Sequence, residues 1–254
     1  MPDSLIRSGL LAESGITGLF TTRHGGVSTG PYRSFDFGGN AGDNDQDVAE
    51  NMSILCTAAP LPRPPHQTRQ VHGRDILWCS GEGRFHDREA DALLSAETGT
   101  AVAVRTADCL PILLADPACG IIAAVHAGWR GTVANVAASA IEAMVQRGSQ
   151  PRNMLASLGP CIGPCCFNID PDTAAKLAAC TDRAAAHVQC GTGTCTADLA
   201  AINREQLLAA GLADERIERL STCTACHPET FYSHRRDQGI TGRHLAVVAL
   251  PAST

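Results

Sequence analysis

Three side chains that zinc could use as ligands stand beside apolar runs at widely separated positions of the chain. His126 ends a short strand-like run and precedes a glycine-rich turn that carries Arg130. Cys109 stands between two other apolar runs, and His72 lies next to a glycine. Imidazole and thiolate both suit zinc, and three such ligands leave one coordination position for water or substrate. The sequence therefore predicts an open metal site formed by His72, Cys109 and His126.

Arginine side chains near these ligands could hold an anion. Arg130 sits just before a helix that the sequence predicts from Thr132, where charge and unpaired backbone N–H groups would both attract negative groups. Arg23 precedes a flexible glycine pair, and Arg235 lies in a polar stretch near the end of the chain. We therefore take Arg23, Arg130 and Arg235 as candidates for substrate binding. Arg130, inside the most informative segment, is also a candidate for catalysis together with Cys109 and His126.

The same residues leave other chemistries open. Cys109 could be a thiolate nucleophile with His72 or His126 as its base, which would make the protein a cysteine hydrolase. Metal content would separate that hypothesis from zinc ligation. A non-catalytic zinc module would need a fourth ligand, and none is evident for this set. A copper oxidase would need clustered HxH histidines, whereas the nine histidines here are scattered.

A CxxC pair offers an alternative metal site. Cys223 and Cys226, followed by His227, have the spacing of half a structural zinc site. The other half could be Cys161 or the adjacent pair at residues 165–166. The sequence contains no second CxxC to complete it.

Composition restricts the classes of protein that fit. The 254 residues are 44% hydrophobic and 18% charged, which is ordinary for a soluble enzyme. A formal net charge of −6 and the lack of basic runs argue against nucleic-acid binding. No segment is long and apolar enough to span a bilayer, and the N-terminus lacks the features of a signal peptide. We therefore expect a cytoplasmic protein whose twelve cysteines are mostly free thiols. The oligomeric state is left open.

The predicted elements mix strands and helices without a strict βαβ rhythm, and no GxGxxG or Walker A motif is present. The fold class expected is α/β in the broad sense, a mixed α+β sandwich with a mixed sheet and not a Rossmann fold. Residues 1–254 are expected to form a single domain. The predicted strands are Gly18–Thr22, Asp75–Cys79, Ala101–Val104, Ile112–Leu114, Ile121–Val125, Met154–Leu158, Ile217–Leu220 and His244–Leu250. The predicted helices are Asp47–Ala58, Thr132–Arg147 with Thr132 as N-cap, one opened by Asp170-Pro171, and Asp198–Ala210.

Several blocks of the sequence resemble the YfiH-like, laccase-domain family, whose members carry the names polyphenol oxidase and purine nucleoside phosphorylase. The resemblance covers nearly the whole chain, in order, and some blocks are long enough to be specific. The blocks are residues 39–43 (GNAGD), 70–73 (QVHG), 107–111 (ADCLP), 125–131 (VHAGWRG), 158–163 (LGPCIG), 231–237 (FYSHRRD) and 241–243 (TGR).

The resemblance implies an α/β fold with zinc bound by one cysteine and two histidines, which map onto Cys109, His72 and His126. It implies phosphorolysis of adenosine, inosine and methylthioadenosine, and deamination of adenosine, so the expected partners are a nucleoside and phosphate. Asn40, in the first block, joins the candidates for substrate binding. The resemblance also implies two alternatives, a cysteine or zinc hydrolase that acts on a peptidoglycan precursor and a copper-dependent polyphenol oxidase.

The chain departs from the family pattern in two respects. Cysteines 165, 166, 190, 195 and 226 fall where the resemblance implies no requirement. His234 stands where an aromatic residue is more usual. These departures leave the metal site intact.

Overall fold

The structure is a computed structural model that describes residues 4–38, 42–59, 61, 63–220 and 222–252. These residues form strands and α-helices joined by turns and short 3-10 segments. The strands are β1 (Leu5–Arg7), β2 (Thr17–Thr21), β3 (Gln67–Arg69), β4 (Ile76–Trp78), β5 (Phe85–Glu89), β6 (Ala92–Ser95), β7 (Ala101–Thr106), β8 (Leu110–Asp116), β9 (Ile121–Ala127), β10 (Leu155–Leu158), β11 (Asn168–Ile169), β12 (Val188–Cys190), β13 (Cys195–Ala197), β14 (Ile217–Arg219) and β15 (His244–Ala249). The helices are α1 (Gly9–Ala12), α2 (Asp45–Ala58), α3 (Trp129–Val133), α4 (Val136–Val145), α5 (Pro171–Ala178) and α6 (Leu199–Ala209).

Two larger sheets stack face to face. One has the strand order β14-β10-β8-β9-β6-β4, and its antiparallel centre is flanked by parallel pairs at both edges. The other is antiparallel, with the order β1-β2-β15-β7. Two small sheets, β11-β13-β12 and β3-β5, lie beside them. The predicted mixed α+β sandwich with a mixed sheet is therefore confirmed.

The alternation of side chains along the central strands explains the layers. In β8 and β9, residues such as Ile112 and Val125 face helices α4 and α6, whereas their neighbours Leu113 and Ala124 face the second sheet. The far side of the second sheet packs against α2 through a third cluster that includes Leu245. Both faces of each sheet are thus buried, which is why these strands read as continuous apolar runs. The molecule has four layers in the order helix, sheet, sheet, helix.

All eight predicted strands form, most with ends shifted by a residue or two. The structure adds the buried strand β6, between β9 and β4, which the sequence analysis did not identify. The antiparallel register of β8 and β9 makes the segments around Ile112 and Val125 a hairpin.

The predicted helix at Thr132–Arg147 differs from the structure. The observed helical segment begins at Trp129 with Gly128 as N-cap. It is interrupted at Asn135, whose backbone is left-handed with φ of 58°, so that α3 and α4 are separate helices. The prediction of Thr132 as N-cap was wrong, because Thr132 lies inside α3. Its hydroxyl accepts a hydrogen bond from Asn203 of α6 instead of capping a helix. Apolar periodicity continues across the break, so it could not reveal the interruption.

None of the helices formed by the described residues has both the length and the apolar composition needed to cross a bilayer.

Candidate functional site

The three predicted metal ligands come together at the ends of the central strands of the six-stranded sheet. His72 lies in the turn after β3, Cys109 directly precedes β8, and His126 lies near the end of the paired strand β9. One nitrogen of each histidine and the Cys109 sulfur all lie within 4.8 Å of one another. The sequence positions are far apart, and the β8–β9 pairing with the turn after β3 is what gathers them.

A buried carboxylate that the sequence analysis missed positions both histidines. Asp91, which immediately precedes β6, accepts a hydrogen bond of 2.7 Å from Nδ1 of His126. Its two oxygens also accept hydrogen bonds from the backbone N–H groups of Val71, His72 and Gly73, at 2.7–3.1 Å. The contact with Nδ1 leaves Nε2 of His126 as the ring nitrogen that can bind a metal, the arrangement common among metal-binding histidines. The only sequence signal was an acidic residue at the start of a short apolar run.

The electrostatics of the site favour a charged sulfur. Burial by itself would raise the pKa of the Cys109 thiol. The charge on His126 and hydrogen bonds from His126 and His72 outweigh burial and lower the pKa to about 6. Burial likewise acts to lower the pKa of His126, but the Cys109 thiolate and Asp91 raise it to about 9. Both shifts favour a thiolate and an imidazolium in the metal-free pair, and metal binding would displace the His126 proton.

The donors fit a zinc ion. One thiolate and two imidazoles are soft and borderline ligands of the kind zinc takes in catalytic sites. Gly128 keeps the space between them clear, since a Cβ atom there would lie 2.9 Å from the Cys109 sulfur and 3.0 Å from Cδ2 of His72.

Gly128→Ala should therefore displace Cys109 or His72 and weaken zinc binding by roughly 10- to 100-fold, a loss of the size seen when groups that orient metal ligands are removed. Competition with a chromogenic chelator measures the change. Gly9→Ala is the matched control, because its Cβ would meet only Glu218 at 3.6 Å. Unchanged zinc affinity in Gly128→Ala would contradict this account of the site.

A cavity of about 520 Å³ opens above the three ligands. This volume lies within the range of small-molecule sites. Arg130 and Arg235, both singled out in the sequence, line the cavity. The cavity is also lined by three arginines that the sequence analysis did not select, Arg69, Arg105 and Arg243. Arg69 lies beside a block that carries the family resemblance, and Arg243 lies within one. The apolar part of the wall consists of Trp129, Ile162, Phe167 and Leu199.

Arg23 lies elsewhere. Its guanidinium donates hydrogen bonds to the carbonyls of Arg33 and Pro228, at 3.0 and 2.6 Å, and stacks over the ring of Tyr232. It borders a separate, smaller depression and is not among the residues that line the cavity. Asn40 lies outside the described residues.

Asp108 anchors one wall of the cavity. Its backbone has φ of 84°, so it lies in a turn before β8 rather than in a strand. Its carboxylate accepts hydrogen bonds from the hydroxyls of Thr224 and Ser233 and from the backbone N–H of Arg235, at 2.6–3.0 Å. Asp108 therefore holds the segment that carries Arg235 against the metal ligands.

Comparisons with known proteins agree with this architecture. A family model described as multi-copper polyphenol oxidoreductase laccase matches residues 17–251. A protein of Escherichia coli named purine nucleoside phosphorylase YfiH is 39% identical over 237 residues, which cover 93% of this chain and 94% of that protein. The purine nucleoside phosphorylase YlmD of Geobacillus stearothermophilus is 34% identical over 256 residues, covering 96% and 93% of the two chains.

Solved structures show the same fold. The crystal structure of YlmD from Geobacillus stearothermophilus superposes with a TM-score of 0.87 at 30% identity, covering 98% of this chain and 96% of that one. The hypothetical protein YfiH of Bacillus licheniformis gives a TM-score of 0.91 at 28% identity, covering 98% and 97%. Family model, relatives and structures all span most of the sequence, and the chain therefore belongs to the YfiH-like, laccase-domain family.

Proposed function

We propose that the protein is a zinc-dependent purine nucleoside phosphorylase that acts on adenosine, inosine and methylthioadenosine. The observation that carries this proposal is one cavity in which a Cys–His–His donor set, five arginines and an apolar wall meet. Relatives that match over more than nine-tenths of the chain are named purine nucleoside phosphorylases, which supports the same substrate class.

The arginines would hold phosphate. Arg130 and Arg235 are exposed at the cavity and approach it from different segments, α3 and the chain before β15. Guanidinium groups bind phosphate oxygens through paired, charge-assisted hydrogen bonds. Phosphate held there would attack C1′ of the ribose, the bond from C1′ to the purine nitrogen would break, and ribose 1-phosphate and the free base would leave.

The apolar wall would hold the purine. Phe167 and Trp129 offer aromatic faces, and Ile162 and Leu199, of the same hydrophobic cluster, add aliphatic surface. Such surfaces bind a flat heterocycle while they exclude water from the reacting bond. His72, Cys109 and His126 would hold the zinc ion, which when bound supplies a Lewis acid that polarises a substrate oxygen or nitrogen. Asp91 keeps both histidines oriented for that role.

Adenosine deamination is a second candidate activity of the same cavity. An open three-ligand zinc site suits it, but zinc deaminases of the cytidine type also use a glutamate that moves protons. Asp108 is the one carboxylate among the described residues that line the cavity, and three hydrogen bonds already engage it. Phosphorolysis is therefore the activity that the lining favours.

Product analysis separates these activities and their rivals. Adenosine is incubated with the zinc-loaded protein, with and without phosphate, and the products are separated by chromatography. We expect adenine and ribose 1-phosphate only when phosphate is present, whereas inosine in either condition would indicate deamination. Hydrolysis that survives complete metal removal would favour the cysteine hydrolase. A peptidoglycan precursor is the substrate to test next for that activity. Turnover of phenols only after copper loading would favour the oxidase.

Arg130→Gln should raise the KM for phosphate by roughly 10- to 100-fold, since a lost charge-assisted hydrogen bond costs about 1.5–3 kcal/mol. The KM for the nucleoside should change much less, because the apolar wall remains. Initial rates with each substrate varied in turn measure both constants. Arg88→Gln, which removes an exposed arginine of β5 that does not line the cavity, is the control. Equal effects of Arg130→Gln on both KM values would count against a phosphate-binding role.

A further inference from the structure

A second group of sulfur ligands lies outside the cavity. Residues 161–167 follow β10 and residues 222–231 follow β14, and the two segments meet where Cys161 and Cys223 form a β-bridge. The backbone N–H of Thr224 donates a 3.0 Å hydrogen bond to the Cys161 carbonyl, which fixes the pairing of the segments. The CxxC pair and the adjacent cysteine pair of the sequence are thereby brought face to face.

The sulfur atoms of Cys165, Cys166, Cys223 and Cys226 all lie within 4.8 Å of one another. Cys226 is 3.5 Å from the sulfur of Cys165 and 3.4 Å from that of Cys166. A tetrahedral zinc ion with Zn–S bonds of ~2.3 Å separates its sulfur ligands by about 3.8 Å. The observed spacing is therefore close to that of a four-thiolate zinc site. Among the groups of possible metal ligands in the described part of the chain, it is the one with four donors.

The surroundings of the sulfur atoms fit ligation. Backbone N–H groups of Gly163 and Cys226 donate to the Cys223 sulfur, the former at 3.2 Å, and would balance part of the negative charge of bound thiolates. A Cβ atom at residue 163 would lie 3.3 Å from the Cys165 sulfur and 3.5 Å from that of Cys223, so glycine leaves the group uncrowded. All four thiols are free, and Cys165 and Cys226 are exposed. Exposed neighbouring thiols are prone to oxidation unless a metal occupies them.

We propose that Cys165, Cys166, Cys223 and Cys226 bind a structural zinc ion, distinct from the metal of the cavity. Each thiol loses its proton to solvent as the ion binds. The protein supplies all four ligands, so no position is left for water or substrate, and the ion serves structure rather than chemistry.

The position of the site indicates what the ion stabilises. The described residues between Arg219 and His244 form neither helix nor strand, and connections of that length without regular structure are uncommon in compact domains. This connection carries Arg235 to the cavity, while Phe167, on the opposite segment, directly follows Cys166. A four-thiolate zinc ion would fasten these two parts of the cavity wall to each other. The proposal does not depend on which reaction the cavity performs.

Zinc content of the full-length protein purified with a reductant provides the test. We expect about two zinc ions per chain in the unmodified protein and about one in Cys109→Ala, which loses the cavity site only. X-ray absorption at the zinc edge of Cys109→Ala should then show sulfur ligands alone, at ~2.3 Å. Neither measurement requires a change in the four cysteines, so neither depends on a variant that fails to fold. Cys109→Ala protein without zinc, or with nitrogen ligands at its zinc, would overturn the proposal.

Variants of the cluster give an independent readout. Cys226→Ser should lose one zinc ion per chain and become more sensitive to limited proteolysis between residues 222 and 243. Cys119→Ser is the matched control, since Cys119 is also exposed but lies in the turn between β8 and β9, outside the cluster. Full zinc content in Cys226→Ser, or disulfide bonds among the four cysteines in the reduced preparation, would refute the site.

Discussion

Cys109→Ala should abolish zinc binding in the cavity and lower kcat/KM for adenosine phosphorolysis by at least about a thousandfold. Cys109 is the single thiolate of the donor set, and its charge is what offsets part of the charge of a divalent ion. Losing a Lewis acid removes several kcal/mol of transition-state stabilisation, and about 4 kcal/mol corresponds to a factor of about 10³. Zinc analysis and steady-state kinetics on the same preparation measure the two effects together.

The design of this experiment separates loss of the metal from loss of the fold. Cys119→Ser should keep both zinc and activity, because Cys119 is exposed in the turn between β8 and β9. Circular dichroism should show that Cys109→Ala retains its secondary structure, since residue 109 lies in a turn before β8. A Cys109→Ala protein that retained cavity zinc and full activity would refute the metal site.

Asp91→Asn should weaken zinc binding in the cavity by about 10- to 100-fold, the usual loss when the partner of a metal-binding histidine is replaced. An amide has one acceptor oxygen where the carboxylate has two. The asparagine therefore cannot accept all of the hydrogen bonds that Asp91 accepts from His126 and from the backbone N–H groups of residues 71–73. We also expect a stability loss of about 1–3 kcal/mol in the metal-free protein, because buried N–H groups lose their acceptor.

Asp116→Asn is the control for the effect of Asp91→Asn on stability. Asp116 is also a fully buried carboxylate that accepts backbone hydrogen bonds, from Ala118, Cys119 and Gln150, at the other end of β8. Asp116→Asn should lower the free energy of unfolding, measured with a denaturant, without a change in zinc affinity. If both variants bound zinc equally well, Asp91 would have no part in positioning the ligands.

The sequence predicted those parts of the fold that depend on short-range patterns. Buried strands such as β8 and β9 are apolar runs in the sequence because both faces of the sheet are covered. The start of α5 was predicted from Asp170, a capping residue that precedes a proline. The break at Asn135 was not predicted, since apolar residues continue at helical spacing on both sides of it. Periodicity reports which face is buried and not whether the backbone is continuous.

The parts of the site that the sequence did not reveal depend on contacts between distant segments. Asp91 acquires its role only when β6 pairs with β9 and brings it to His126. Arg105 and Arg243 line the cavity because β7 and β15 are neighbours in the second sheet. No local pattern around these residues distinguishes them from other buried or surface charges.

The hydrogen bonds of Asp91 have a consequence for which metal the cavity acquires. They hold the His126 ring and the backbone of His72 in place, and imidazole and thiolate ligands of this kind suit copper as well as zinc. Affinity should then follow the Irving–Williams order, in which Cu²⁺ exceeds Zn²⁺. We expect the metal in a purified sample to be decided by what the expressing cell supplies. An assay of phenol oxidation on such a sample would report the trace metals of the growth medium as much as the chemistry of the enzyme.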